Sequence, residues 1–134
     1  MIGVVVVTHG QLATELLNAA EAIVGDLPRF AAVSIGWHDD TDDAREEIRQ
    51  AIARLQGEHG VLVLTDMFGG TPTNLGLSFV EPDRVEVVTG VNLPMLIKLA
   101  SVRSKLPLDE CVAHAQEAGR KYISVASYVL AGEK

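Results

Sequence analysis

The chain has 134 residues, 48% of them hydrophobic, a formal net charge of -7 and a single cysteine, Cys111. That length and apolar content suffice for one domain with its own core, while the acidity excludes a nucleic-acid binder, which needs a basic footprint, and a protein held on an anionic membrane surface. A lone cysteine makes no internal disulfide, and neither a basic leader nor an apolar run of membrane-spanning length is present, so a soluble cytoplasmic protein is expected.

The first predicted strand runs from Ile2 to Thr8. Its four successive valines, Val4 to Val7, leave no polar alternation, which is the pattern of a central parallel strand covered on both faces. It ends at His9-Gly10. Leu12, Leu16, Leu17, Ala20, Ile23 and Val24 then recur at helical spacing, and Gly25 supplies a left-handed stop. A second strand is predicted over Phe30 to Gly36, followed by the loop Trp37-His38-Asp39-Asp40. Thr41 is expected to cap a helix with Asp42 and Asp43 in its first turn and a buried stripe of Ala44, Ile48, Ala51, Ile52 and Leu55. Val61 to Thr65 is a short apolar third strand that terminates at Asp66. In Asp66-Met67-Phe68-Gly69-Gly70-Thr71-Pro72-Thr73-Asn74, paired glycines permit close backbone approach, and Thr71-Pro72 reads as N-cap and first helical residue. That helix is expected to continue through Leu75, Leu77, Phe79 and Val80. A fourth strand, Val85 to Thr89, leads through Gly90-Val91-Asn92-Leu93-Pro94 into a helix over Met95 to Ala100. Pro107, Asp109 and Glu110 open a last helix ending near Gly119, and Tyr122 to Leu130 reads as a final strand or a strand plus tail.

This alternation predicts a single-domain α/β fold. The expected architecture is a doubly wound, mostly parallel sheet of order 2-1-3-4, with helices on both faces and a fifth edge strand at the carboxyl end. Ligands of such sheets gather beyond the carboxyl ends of the strands, where His9, Trp37-His38, Asp66 and Val91-Asn92 converge. With strand 1 between strands 2 and 3, His9 and Asp66 sit on neighbouring strand ends. A carboxylate there takes the hydrogen of one imidazole nitrogen and leaves the other free as a nucleophile. The glycine turn after Asp66 offers backbone N–H donors to an incoming anion. Together these groups describe phosphoryl transfer through a phosphohistidine. One helix dipole contributes only roughly 0.3 to 2 kcal/mol, so several donors must act together. The other histidines carry less: His38 lies in a solvated acidic loop, His59 in a surface turn, and Cys111 and His114 share a helix face without further ligands. No metal site and no cofactor are expected, and no Gly-x-Gly-x-x-Gly fingerprint is present.

Three stretches carry a resemblance: Val-Val-Thr-His-Gly (residues 6–10), Leu-Thr-Asp-Met-Phe-Gly-Gly-Thr-Pro-Thr-Asn (64–74) and Thr-Gly-Val-Asn-Leu-Pro-Met-Leu (89–96). In order and spacing, and over essentially the whole chain, the sequence resembles the IIA component of the mannose family of the bacterial phosphoenolpyruvate:sugar phosphotransferase system. The resemblance implies that His9 is phosphorylated on Nε2, that Asp66 holds its Nδ1, and that Gly69, Gly70 and Thr71 contact the phosphoryl group. Phe68 and Thr71 stand where tryptophan and serine are often found, keeping an aromatic wall and a hydroxyl. Thr8, Trp37, Phe68 and Asn92 are candidate rim residues. The implied donor is the phosphocarrier HPr. Because residues 1–134 hold no IIB domain, the implied acceptor is a separate IIB protein or a regulatory target, with the membrane approached only through permease partners. A homodimer is implied as well, with the last strand, about Tyr122 to Val129, exchanged between subunits. A related alternative is the similar domain of the phosphotransferase subunit serving dihydroxyacetone kinase. Histidine phosphatases also follow a first strand with His-Gly, but place an arginine where this chain has Thr8. A receiver-like module with Asp66 as acceptor needs an acidic pair where this chain has Thr8-His9.

Overall fold

A computed structural model describes residues 1–36, 38–67 and 69–132. In chain order the elements are β1 (Gly3–His9), α1 (Leu12–Val24), β2 (Phe30–Ile35), α2 (Thr41–Leu55), β3 (Val61–Thr65), α3 (Thr71–Leu77), β4 (Val85–Thr89), α4 (Leu93–Val102), α5 (Leu108–Lys121) and α6 (Ala126–Leu130). The four strands form one sheet of order β2-β1-β3-β4, every neighbouring pair parallel. In β1, Val5 stands opposite Ala31 of β2 and Val63 of β3.

The valine run is apolar throughout because the sheet is covered on both sides. Side chains alternate across a strand. Val4 and Val6, with Leu62 and Leu64 of β3, pack against Ala13, Leu17 and Ala20 of α1, Met95, Leu96 and Leu99 of α4, and the α5 residues Leu108, Cys111 and Ala115. Val5, Val7, Val61 and Val63 face the other way, onto Ala44, Ile48, Ala51 and Ile52 of α2 and Leu75 of α3. All eight strand residues are fully buried, and each contributes roughly 1.5 to 3 kcal/mol of apolar burial.

The structure changes several local expectations. α1 turns its Ala13, Leu17 and Ala20 face to the sheet, leaving Leu12, Ile23 and Val24 exposed. The apolar residues of α1 cover too wide an arc for one contact, and the sheet takes the i, i+4, i+7 set. The N-cap of α2 is Asp40 rather than Thr41: its backbone is extended, and its carboxylate accepts the N–H groups of Asp42 and Asp43. Gly70 occupies the N-cap position of α3, which moves Thr71 inside the helix, and α3 ends at Leu77 before Phe79 and Val80. The fifth strand is absent from the described residues, since the segment expected to form it enters α6, which buries none of its own side chains. A strand needs a neighbour to receive its backbone hydrogen bonds, and among the described residues no strand pairs with the segment; local bonds, such as Val129 N–H to the Val125 carbonyl, satisfy part of its backbone instead.

The crossovers define where a site belongs. From β1 the chain leaves through α1 on one face of the sheet, and from β3 it leaves through α3 on the other. The carboxyl ends of β1 and β3 therefore flank the topological switch point, the crevice that open sheets of this kind offer to ligands.

Candidate active site

His9 is the last residue of β1, and Asp66 follows immediately after β3. Their side chains meet directly: His9 Nδ1 lies 2.7 Å from Asp66 Oδ2. The same carboxylate oxygen accepts the main-chain N–H of His9 at 3.0 Å, and the other oxygen accepts the Met67 N–H at 3.0 Å. A carboxylate accepts and does not donate, so the hydrogen between the two side chains belongs to Nδ1 and the Nε2 lone pair is left free. The His9 side chain is 48% exposed and that of Asp66 only 14%, which leaves the imidazole accessible while its partner is sheltered.

Burial by itself raises the Asp66 carboxyl, but the hydrogen bonds from the His9 ring and main chain, with the charge of His9, outweigh it and hold the group below its ordinary value. The contribution of this pair to stability is present above the carboxyl value of the unfolded chain and is lost as pH falls through the lowered folded value.

The glycine turn lies against the Cε1–Nε2 edge of the ring. A methyl group placed on Gly70 would stand 2.8 Å from His9 Cε1 and 3.4 Å from Nε2, so the backbone comes as close to the imidazole as a residue without a side chain permits. Buried hydroxyls hold this turn on the sheet. Thr73 Oγ1 donates to the Met67 carbonyl at 2.5 Å, so at its 2.5 Å contact with Thr65 Oγ1 it must be the acceptor. Thr73→Val is expected to leave the Met67 carbonyl and the Thr65 hydroxyl unsatisfied and to lower stability by about 1 to 3 kcal/mol. A urea midpoint measured against the parent protein checks this; an unshifted midpoint would remove Thr73 from the scaffold of the site.

A cavity of about 270 Å³ opens beside His9, lined by Gly10, Ile35, Gly36, Asp39, Thr41, Ala44 and Thr71. Of the sequence-predicted residues, the structure brings His9, Asp66, Gly70 and Thr71 together around this crevice, with Gly69 in the same turn. Thr8 is not a rim residue: it is fully buried, and its hydroxyl accepts the Ala13 N–H at 2.7 Å, anchoring the start of α1. Asn92 works in another place, its Oδ1 capping α4 at Met95 N–H and its Nδ2 donating to the Gly119 carbonyl on α5. Trp37 and Phe68 lie outside the described residues. His38 and His59 are exposed. Cys111 is buried, and burial, followed by Glu110 and Asp109, raises its thiol above the ordinary value.

Asp39 is a site residue that the sequence does not single out, since it reads as part of a solvated acidic loop. Its carboxylate accepts the Gly36 N–H at 2.7 Å and lines the cavity. An aspartate three residues beyond a glycine at a strand end is the signal that points to such a turn.

Residues 3–116 match the EIIA-man family, described as "PTS system fructose IIA component". The chain belongs to the EIIA-man family. It is 32% identical over 128 residues to the PTS system fructose-specific EIIA component of Bacillus subtilis (strain 168), covering 95% of this chain and 88% of that protein. Against the PTS system mannose-specific EIIAB component of Escherichia coli (strain K12) it is 35% identical over 122 residues, covering 90% of this chain but only 38% of the relative. Among solved structures, the PTS IIA protein associated with the fucose utilization operon of Streptococcus pneumoniae superposes with a TM-score of 0.81 at 32% identity, covering 96% and 95% of the two chains. EIIA-man proteins are phosphotransferase-type components of a sugar transport system. Within this member no described helix is long and apolar enough to cross a membrane.

Proposed function

We propose that this EIIA-man member is a phosphocarrier that takes a phosphoryl group from phospho-HPr onto His9 Nε2 and passes it to a separate IIB protein. The observation that carries the reading is the 2.7 Å contact of Asp66 with Nδ1, which leaves Nε2 with a free lone pair at an exposed strand end. In the forward step the Nε2 lone pair attacks phosphorus, the bond from phosphorus to the donor's imidazole breaks, and that electron pair stays with the donor. The His9 ring then carries positive charge with its hydrogen still on Nδ1, and Asp66 offsets that charge. The turn Gly69-Gly70-Thr71 meets the phosphoryl oxygens. The reverse chemistry, with the acceptor's nucleophile attacking phosphorus, returns His9 to its starting tautomer.

Incubation with phosphoenolpyruvate, enzyme I and HPr is expected to give a phosphoprotein that is labile to acid and stable to base. The label should be absent in His9→Ala and retained in His38→Ala, His59→Ala and His114→Ala. Labelling that survives His9→Ala would overturn the assignment. Transfer onward is read by adding a purified IIB protein and following loss of label from His9.

The working unit in this reading is a homodimer. Ile123 is 78% and Leu130 90% exposed, with Tyr122, Val125, Tyr128 and Val129 also exposed. Beside the edge strand β4 runs a cleft of about 550 Å³ lined by Val87, Val88, Thr89, Val112 and Ile123 among others. An unpaired edge and an uncovered apolar tail suit one another across two copies, each tail laid on the partner's β4 edge. The intact chain is expected to behave as a dimer by light scattering at micromolar concentration, and a chain ending at Lys121 as a monomer or an insoluble product. A soluble, well-folded monomer from the intact chain would refute the exchange and leave the His9 chemistry standing.

A further inference from the structure

The end of the sheet opposite His9 holds two arginines that have no acidic partner among the described residues. The Arg103 carbonyl accepts the Ile2 N–H at 3.2 Å and the Arg29 carbonyl accepts the Val4 N–H at 2.9 Å, so both residues sit at the amino edge of β1. At about 3.3 Å per residue along β1, that edge is roughly 20 Å from His9. Arg103 is only 5% exposed. Its guanidinium stacks 4.4 Å from the centroid of the Phe30 ring, which serves the face of the cation but not the N–H groups at its edge. Arg103 Nη1 and Arg29 Nε are buried without a hydrogen-bond partner among the described residues. Arg29 directs one guanidinium nitrogen at the Leu55 carbonyl, at the carboxyl end of α2. No described carboxylate forms an ion pair with either arginine. Burial, and then the charge of Arg29, lower the Arg103 value, as two like charges in a sheltered place must.

A buried guanidinium nitrogen without a partner is costly. Arg103 also lines a cavity of about 270 Å³ whose other walls are Val24, Asp26, Leu27, Ile97, Ala100 and Ser101. We propose that this cavity binds a small organic carboxylate, with its charged end on the Arg103 guanidinium and its carbon body against the four apolar side chains. A carboxylate matches the planar fork of a guanidinium. A phosphate dianion fits less well, because Arg29 already spends a donor on Leu55 and the Asp26 carboxylate in the lining repels a second negative charge. Asp26 tunes the site, weakening it by repulsion.

Propionate titrated into the intact protein at constant ionic strength tests this, with amide shifts read by NMR. Saturable shifts are expected over residues 24–30 and 97–103, half-complete at about 10 mM or below, with the His9 and Asp66 amides unmoved. Propionamide, the neutral isostere, should give none, and inorganic phosphate at equal concentration a weaker response. Asp26→Asn should tighten propionate binding by about twofold or more, and Arg103→Lys should weaken it by about tenfold. If Arg103→Lys does not fold, the Asp26→Asn and propionamide results decide alone. Absence of saturation, equal shifts with propionamide, a stronger response to phosphate, or an Asp26→Asn affinity equal to that of the parent would each overturn the assignment.

Discussion

Asp66→Asn is expected to slow phosphoryl transfer to and from His9 by about 10²- to 10⁴-fold while leaving the fold intact. The carboxylate meets three N–H groups, two from His9 on Oδ2 and one from Met67 on Oδ1. An asparagine cannot reproduce that pattern in either orientation. With its carbonyl toward His9 it turns an NH₂ group on the Met67 N–H, donor against donor. With the amide reversed, the NH₂ group faces the His9 main chain and donates to Nδ1, which moves the ring hydrogen to Nε2 and removes the nucleophile. Neither orientation supplies the negative charge that offsets the imidazolium formed during transfer. Single-turnover transfer from phospho-HPr, with circular dichroism to confirm folding, measures the effect. A rate within a factor of about two of the parent would show that His9 works without Asp66.

Gly70→Ala is the second substitution with a large expected effect, and here the obstacle is not the backbone. Gly70 has φ -84° and ψ 168°, a conformation open to any residue. The added methyl would stand 2.8 Å from His9 Cε1, and the ring has no easy retreat because Asp66 fixes it from the opposite side. Either the imidazole leaves Asp66 or the turn moves away from Nε2. Displacements of about 1 Å at a reacting centre cost on the order of 10²-fold, and a loss of that size in transfer rate is expected with only a small change in stability. NMR of the Nδ1 hydrogen distinguishes the two responses, since only the first removes it from the Asp66 bond. Transfer at the parent rate would show that the turn does not crowd the nucleophile.

Much of this arrangement is legible in the sequence because it rests on patterns that survive without coordinates. Val4 to Val7 announce a strand buried on both faces, and a histidine and an aspartate at the ends of adjacent parallel strands must come together once the order is β2-β1-β3-β4. What the sequence hides depends on a single torsion or a single neighbour. Asp40 and Thr41 are both competent caps, and only the residue with extended backbone takes the role. Thr8 looks like a site residue by adjacency to His9, yet strand alternation turns it inward to serve α1. The segment after Lys121 is apolar in any reading, but whether it becomes strand or helix turns on what backbone lies next to it. Arg103 gives no sequence signal at all, since an arginine at a helix end ordinarily reaches solvent.

The double hold of Asp66 Oδ2 on His9, through the ring and through the main chain of the same residue, has a stereochemical outcome. Both bonds favour a single ring orientation, so in the proposed phosphocarrier role phosphorus would arrive at and leave Nε2 from the same side. In the proposed phosphocarrier role, donor and acceptor would then use the same face of this chain in turn rather than together. Each in-line displacement inverts the configuration at phosphorus, so a chiral phosphoryl group that passes onto His9 and off again should emerge with the handedness it had on the donor.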